Sequence, residues 1–293
     1  MVNATDTVQS LRRFGIALLK DAEIESPAAD AGLILMSVLQ IDKTQLLVSD
    51  ARVEREQAEQ CRQLLRRRAQ GEPVQYLAGK CEFMSLEFEV SRDTLIPRAD
   101  TEILVEWVLK IEKSLPPRSI SLLDIGTGSG CIAVSLAHYL PYARVTALDI
   151  SAGALRIAAR NAERLRTAQR IEFCQWDILQ GFPPNCKKFD YIVSNPPYIP
   201  PEEIEQLQPE VREFEPYCAL YGGEDGLRFY RAIIKNAAEY LNFGGKLVFE
   251  VGHKQAETVA ELLAANGNFT PAELSKDLAG IDRVVSAERL HKN

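Results

Sequence analysis

At 293 residues, 46% of them hydrophobic, the chain has material for one large domain or two with a packed core, which excludes an intrinsically disordered protein. Its formal net charge of −7 falls on residues 81–293, because residues 1–80 hold eleven Lys or Arg and eleven Asp or Glu. That sign argues against an enzyme that grips nucleic acid through its phosphates.

The longest apolar runs, such as "GLILMSVL" from Gly32 to Leu39, fall far short of the roughly 20 residues a membrane span needs. The first ten residues lack a leader pattern, so the expectation is a soluble, cytoplasmic protein with no membrane partner. Cys61, Cys81, Cys131, Cys174, Cys186 and Cys218 are scattered without a C-x-x-C pair, and the histidines are only His138, His253 and His291. Neither a disulfide framework nor a metal site is expected.

In chain order, residues 6–70 alternate helical apolar patterns with short breaks, predicting a bundle of four or five helices. Val8, Leu11, Ile16, Leu18 and Leu19 form the first apolar face; Ser26-Pro27 reads as an N-cap followed by proline; Asp42 caps "KTQLLVSD"; and Gly71 ends the helix that carries Arg66, Arg67 and Arg68. The three arginines read as a solvated helix face, with a docking patch for an acidic partner as the alternative. "EFMSLEFEV", Glu82 to Val90, alternates as one strand, half of a hairpin joining two domains, and a helix starts near Asp100. The domain boundaries expected are 1–75 for a helical recognition domain, 76–95 for a hairpin linker and 96–293 for a catalytic domain.

Beyond residue 119, β-rich runs alternate with helices: 120–125, 144–150, 170–175, 189–194, 246–252 and 282–288 are the strands. That alternation predicts an α/β fold, a parallel Rossmann-like sheet with helices on both faces, whose chemistry lies beyond the carboxyl ends of the strands.

At the first strand end, "DIGTGSG" places Asp124, Gly126, Gly128 and Gly130 where backbone N–H groups can approach a ligand. A dinucleotide fingerprint needs a third glycine at 131, which is Cys131; the spacing is instead that of S-adenosylmethionine-dependent methyltransferases. A glycine-rich turn with no ligand is the plain alternative. Asp149 closes the second strand, suited to the two hydroxyls of a ribose or to capping the next helix. Asp177 and Ile178 follow the third strand, suited to an exocyclic amine and an adenine face, or to a turn.

At the fourth strand end stands "VSNPPYIP", with Asn195, Pro196, Pro197 and an exposed Tyr198. Proline lacks an N–H, so this lip offers acceptors, the Asn195 side-chain oxygen and the Pro196 carbonyl, suited to both hydrogens of a planar NH₂ group. Tyr198 then packs against the flat substrate. A Pro-rich turn is the alternative.

Together these segments resemble the peptide chain release factor glutamine methyltransferases, the PrmC or HemK family. The resemblance runs from about Gly71 to Arg289, through "GEPVQYLAG", "LIPRADTE", "DIGTGSG", "VSNPPYIP", "EFEPYCALYGGEDGL" and "DLAGIDRVV". Ala99 departs from it, standing where the family commonly has proline. The resemblance implies S-adenosylmethionine as methyl donor, held by Gly126, Thr127, Gly128, Ser129, Gly130, Asp149, Ile178 and Asn195. The substrate implied is the glutamine of the Gly-Gly-Gln motif of class I release factors, its amide held by Asn195 to Tyr198. Arg98, Thr101 and Glu102 are further candidates for closing over donor or substrate, with a helix start and an exposed salt bridge as the equal alternative; Glu215-Pro216 and Gly222-Gly223 suit a grip on a substrate loop or the shaping of a long turn; and the enzyme is expected to act as a monomer with the N-terminal helices and the hairpin gripping the release factor. Two other readings stand beside this one: an adenine amino-methyltransferase acting on DNA or RNA, which shares NPPY, and a non-catalytic nucleoside-binding module. Nothing in their spacing gives Glu250 or His253 a role.

Overall fold

The computed structural model describes residues 6–291; Met1 to Thr5, half of the stretch read for a leader, lie outside it. The chain divides into two compact units: unit 1 holds residues up to Lys80 together with Gln208–Phe214, and unit 2 holds Cys81–Leu207 and the residues from Glu215 on.

Unit 1 begins with α1 (Val8–Asp21), α2 (Pro27–Leu39), α3 (Lys43–Val48), α4 (Arg55–Ala69) and α5 (Val74–Ala78). Leu11, Leu19, Ile34, Leu35, Cys61 and Leu65 are fully buried in its core. Asp42 forms the expected capping box with Gln45. Ser26 stands at the N-cap of α2 without a side-chain bond, so Pro27 at the first turn carries that helix start.

A hairpin follows, β1 (Lys80–Phe83) and β2 (Leu86–Glu89), which belongs to unit 2 from Cys81 on. "EFMSLEFEV", expected as one strand of a hairpin, is nearly the whole hairpin, because Met84 and Ser85 both adopt positive φ, 51° and 57°, and reverse the chain in two residues. Alternation alone cannot reveal such a turn when neither residue is glycine or asparagine. The expected linker range 76–95 also takes in the end of α5, which is helical through Ala78. The hairpin is tied down within unit 2: buried Asn161 receives the Glu89 N–H at 2.7 Å and donates to the carbonyls of Glu89 and Ser129, both at 2.9 Å.

The chain continues through α6 (Ala99–Lys113), β3 (Ile120–Ile125), α7 (Cys131–Tyr139), β4 (Ala143–Asp149), α8 (Ala152–Arg164), β5 (Ile171–Gln175) and β6 (Phe189–Ser194). Then come α9 (Pro201–Ile204), α10 (Pro209–Phe214), α11 (Tyr217–Leu220), α12 (Arg228–Tyr240), β7 (Leu241–Glu250), α13 (Ala256–Asn266), β8 (Glu273–Lys276) and β9 (Asp282–Glu288). The large sheet has the order β5-β4-β3-β6-β7-β9-β8. The five strands β3 to β7 pair in parallel, as expected, but β9 runs antiparallel to β7, and β8, unforeseen in the sequence, runs antiparallel to β9. Successive side chains of each strand serve opposite cores: Leu122 and Val193 pack on one face with α6 and α7, Leu123 and Ile192 on the other with α12 and α13.

The arginine run is not a solvated face. Arg66 is exposed and Arg67 pairs with Glu72 at 2.7 Å, but Arg68 is buried and pairs with Asp30 at 2.6 Å and with Glu210 of α10 at 2.7 Å. The chain thus returns to unit 1 for one short helix, closed onto a buried guanidinium.

Candidate active site

Strand order fixes where the site lies. The chain leaves β3 toward β4 and β5 on one side, and β6 joins on the other, so a crevice forms at the carboxyl ends of β3 and β6. Their register is explicit: Ile125 pairs with Ser194, and the Ser194 hydroxyl donates to the Ile125 carbonyl at 2.7 Å. Gly126 and Asn195 therefore leave adjacent strands at one level. Leu148 lies opposite Ile125 in β4 and Phe249 lies opposite Ser194 in β7, so Asp149 and Glu250 end their strands in the same row.

A cavity of about 340 Å³ opens there, walled by Gly126, Thr127, Gly128 and Ser129, by Asp149, by Asp177 and Ile178, and by Asn195, Pro196 and Pro197. Arg98 and Thr101 also reach it. The four strand ends singled out in the sequence thus share one wall. Among the glycines, Gly126 and Gly128 have φ of +76° and +55° and nothing within 4 Å of an added Cβ, so they leave open space. Gly130 does not line the cavity; a Cβ there would stand 2.9 Å from the Ala158 Cβ, so this glycine serves the close packing of the loop on α8.

Asp149 organises the loop. Its two oxygens accept the Gly128 N–H at 2.8 Å and the Ser151 N–H at 2.9 Å, and α8 is capped instead by Ser151. Burial pushes its carboxyl up. Asp124 is fully buried behind the loop rather than in the cavity wall; it accepts the Thr127 hydroxyl at 2.7 Å, and burial pushes its carboxyl up to about 7. Asp177 accepts the Leu179 N–H at 2.9 Å in the 3₁₀ turn Ile178–Gln180, so it is both a turn residue and part of the wall.

Tyr198 is not exposed and does not reach the cavity. It is half-buried against the core on the α12 side, and its carbonyl accepts from Gln255 at 3.0 Å. A Cβ on Gly222 or Gly226 would stand 2.6 or 2.3 Å from Tyr198 backbone atoms, which explains why the insertion after β6 is glycine-rich. The aromatic residues in the wall are others, Tyr217, Tyr221, Trp176 and Phe229.

Thr101, Glu250 and Glu215 support the wall, and of these Glu250 has no role that its spacing in the sequence assigns. Asn195 donates from Nδ2 to the Thr101 hydroxyl at 3.1 Å, and the Glu250 carboxyl lies beside both side chains. Glu250 is buried, and that burial pushes its carboxyl up to about 7. Glu215, also buried, accepts the Ile96 N–H at 3.0 Å and pairs with Arg98. Asp93 to Leu95 and Pro216 to Ala219 line the same cavity, so Glu215 ties two of its walls together. Among the described residues no His, Cys, Asp and Glu cluster could hold a metal ion, and no helix is long and apolar enough to cross a membrane.

Comparison with known proteins matches residues 10–79 to the PrmC N-terminal domain and residues 118–285 to a methyltransferase domain. A release factor glutamine methyltransferase of Geobacter sulfurreducens is 43% identical over 280 residues, 95% of this chain and 95% of that protein. This chain belongs to the release factor glutamine methyltransferase family. A second member, from Moorella thermoacetica, is 44% identical over 91% of this chain and 93% of its own length. The crystal structure of a methyltransferase from Pyrococcus furiosus, 19% identical, superposes with a TM-score of 0.52 over 71% of this chain and 91% of that one, which supports the family's class I methyltransferase α/β fold.

Proposed function

We propose that this protein transfers a methyl group from S-adenosylmethionine to the side-chain amide nitrogen of the Gly-Gly-Gln glutamine in class I peptide chain release factors, acting as a cytoplasmic monomer. The observation that carries this reading is the register between β3 and β6, which puts the glycine loop and the Asn195-Pro196 acceptors on one cavity.

The cavity suits the donor. Gly126 and Gly128 leave room for a close approach, and Asp149 spends one lone pair of each oxygen on the backbone and keeps others for ribose hydroxyls. Asp177 commits one oxygen to Leu179, leaving the other for an exocyclic amine beside the apolar Ile178. When bound, S-adenosylmethionine supplies an electrophilic methyl on a sulfonium whose departure leaves a neutral thioether.

The protein's task is then to hold the amide. One hydrogen of the Asn195 Nδ2 goes to Thr101 at 3.1 Å, with the Glu250 carboxyl beside it, so Oδ1 is the atom left for the substrate. With the Pro196 carbonyl it accepts both N–H bonds of the glutamine amide, turning the nitrogen lone pair out of conjugation and toward the donor; as the N–C bond forms and the S–C bond breaks, one of the two N–H protons is given up and ends in solvent. Pro197 and the apolar wall exclude water. Arg98 keeps the Leu95-to-Arg98 loop closed through Glu215, and the N-terminal helices take part in recognising the release factor.

The test is transfer of labelled methyl to a purified release factor, to its variant with the Gly-Gly-Gln glutamine replaced, and to duplex DNA, with mass spectrometry to locate the label. Label on that glutamine alone is expected. Label on DNA would make this an adenine enzyme instead.

A further inference from the structure

Asparagine's amide is nearly symmetric in shape, so the role just described depends on which end faces the cavity. Rotated by 180° about its last torsion, Asn195 would present two donors to a substrate NH₂ that itself has only donors to offer, and the site would repel what it must hold. The orientation therefore needs a cause outside Asn195.

The row of strand ends supplies one. Glu250 is 2% exposed at the end of β7, one residue past Phe249, the register partner of Ser194. Its carboxyl lies beside the Thr101 and Asn195 side chains, both of which favour its charged form, and Thr101 Oγ1 accepts from Asn195 Nδ2 at 3.1 Å. Its second oxygen, Oε2, is buried without a partner. Arg283, whose charge acts on it, is held by Asp100 at 2.8 Å and Asp277 at 2.9 Å. A buried carboxylate without its own cation costs stability, and an apolar side chain would fill the place more cheaply, so a purely structural reason for it is lacking.

We propose that Glu250 and Thr101 are positioning residues for methyl transfer, forming an acceptor-only lock that takes both N–H bonds of Asn195 and so turns its Oδ1 toward the substrate amide. This rests on the reading of Asn195 as the substrate's acceptor. An ionised carboxylate can only accept, and the Thr101 hydroxyl, having given its proton to Glu250, can only accept from Asn195. Neither can bond Oδ1, so the rotated amide has no partners.

The lock carries a pH dependence. A protonated Glu250 can donate to Oδ1 and stabilise the wrong orientation, and burial has brought its pKa up to about 7. Asp100 on α6 raises it further, while Arg283 on β9 and the Thr101 and Asn195 side chains oppose the rise. Tyr198, Tyr230 of α12 and Cys131 at the start of α7 complete its titratable surroundings; all three have raised pKa values, chiefly from burial, and the Tyr230 hydroxyl donates to the Glu250 carbonyl. Transfer should therefore fall below about pH 7 while donor binding does not.

The experiment uses the full chain with a release factor, comparing wild type with Glu250→Gln, Thr101→Val and Thr101→Ser in single-turnover rate, donor affinity and pH profile. The Asn195 side-chain ¹⁵N–¹H₂ resonances are followed by NMR against pH. Glu250→Gln and Thr101→Val are expected to lose on the order of tenfold to a hundredfold in rate with donor affinity within about twofold of wild type. Thr101→Ser, which keeps the hydroxyl, should restore most of the rate, and Glu250→Gln should lack the acidic fall. The Asn195 resonances should titrate near pH 7 in wild type and not in Glu250→Gln. Wild-type rates in both damaging variants, or Asn195 resonances indifferent to pH and to both substitutions, would overturn the lock. A wild type that titrates as described but methylates no release factor would uphold the lock and sink the functional reading instead.

Discussion

Glu215 reaches across from the insertion after β6 to accept the backbone N–H of Ile96 at 3.0 Å, and its other oxygen pairs with Arg98. Residues that precede α6 and residues that precede α11, more than a hundred positions apart, are thereby closed over one cavity. Glu215→Gln removes the charge that holds Arg98. It should cost about 1–3 kcal/mol of stability and weaken donor binding several-fold, measured by thermal denaturation and by calorimetric titration with the donor.

Two glycines of one loop should respond differently to the same change. Gly130→Ala forces a methyl to within 2.9 Å of Ala158 at a φ of +79°, and should lower stability by about 1–3 kcal/mol. Gly128→Ala meets no protein atom within 4 Å. Its backbone strain should cost about 1–2 kcal/mol, while the added methyl points into the donor's space and donor affinity falls by more than tenfold. Denaturation midpoints and donor dissociation constants for the pair separate packing from binding.

Burial raises Asp124 from an ordinary 3.8 to about 7, so between these values the folded protein holds a proton that the unfolded chain has released. The stability this protonation confers is present below about pH 4 and is lost as pH rises toward 7, at a slope of up to about 1.4 kcal/mol per pH unit. Asp124→Asn retains an acceptor for Thr127 and should flatten that part of the slope. Urea denaturation of both proteins at several pH values between 4.5 and 7.5 checks it. An unchanged slope would show that Asp124 stays ionised.

Arg68→Ala leaves the buried Asp30 carboxylate without its cation and frees Glu210 of α10. The expected loss is about 3–5 kcal/mol in unit 1. Because α10 then loses its tie, tryptic cleavage at the exposed Arg212 should accelerate, read by limited proteolysis. Cleavage at the wild-type rate would mean that α10 is held by its other contacts.

The elements that the sequence revealed are those whose cause is local. Period-two and helical apolar spacing announced β3, β4, β6 and α6 because a buried face repeats with the geometry of its own element. The place of the hairpin's turn, and β8 altogether, are not legible in the sequence for the opposite reason. Met84 and Ser85 turn the chain without turn-type residues, and β8 is mostly exposed, with Ser275 the only half-buried residue among Glu273 to Lys276, so it has no apolar alternation to read.

The same division runs through the site. The sequence by itself determined which groups could meet a methyl donor and an amide, because glycine's φ freedom and proline's missing N–H are properties of single residues at 126–130 and 195–197. Only the tertiary structure decided that Tyr198 turns into the core, that Gly130 packs closely on Ala158, and that Glu250 and Thr101 face Asn195. Those outcomes depend on strand register and on helices packed across the sheet, which bring residues 101, 195 and 250 together although no spacing along the chain relates them.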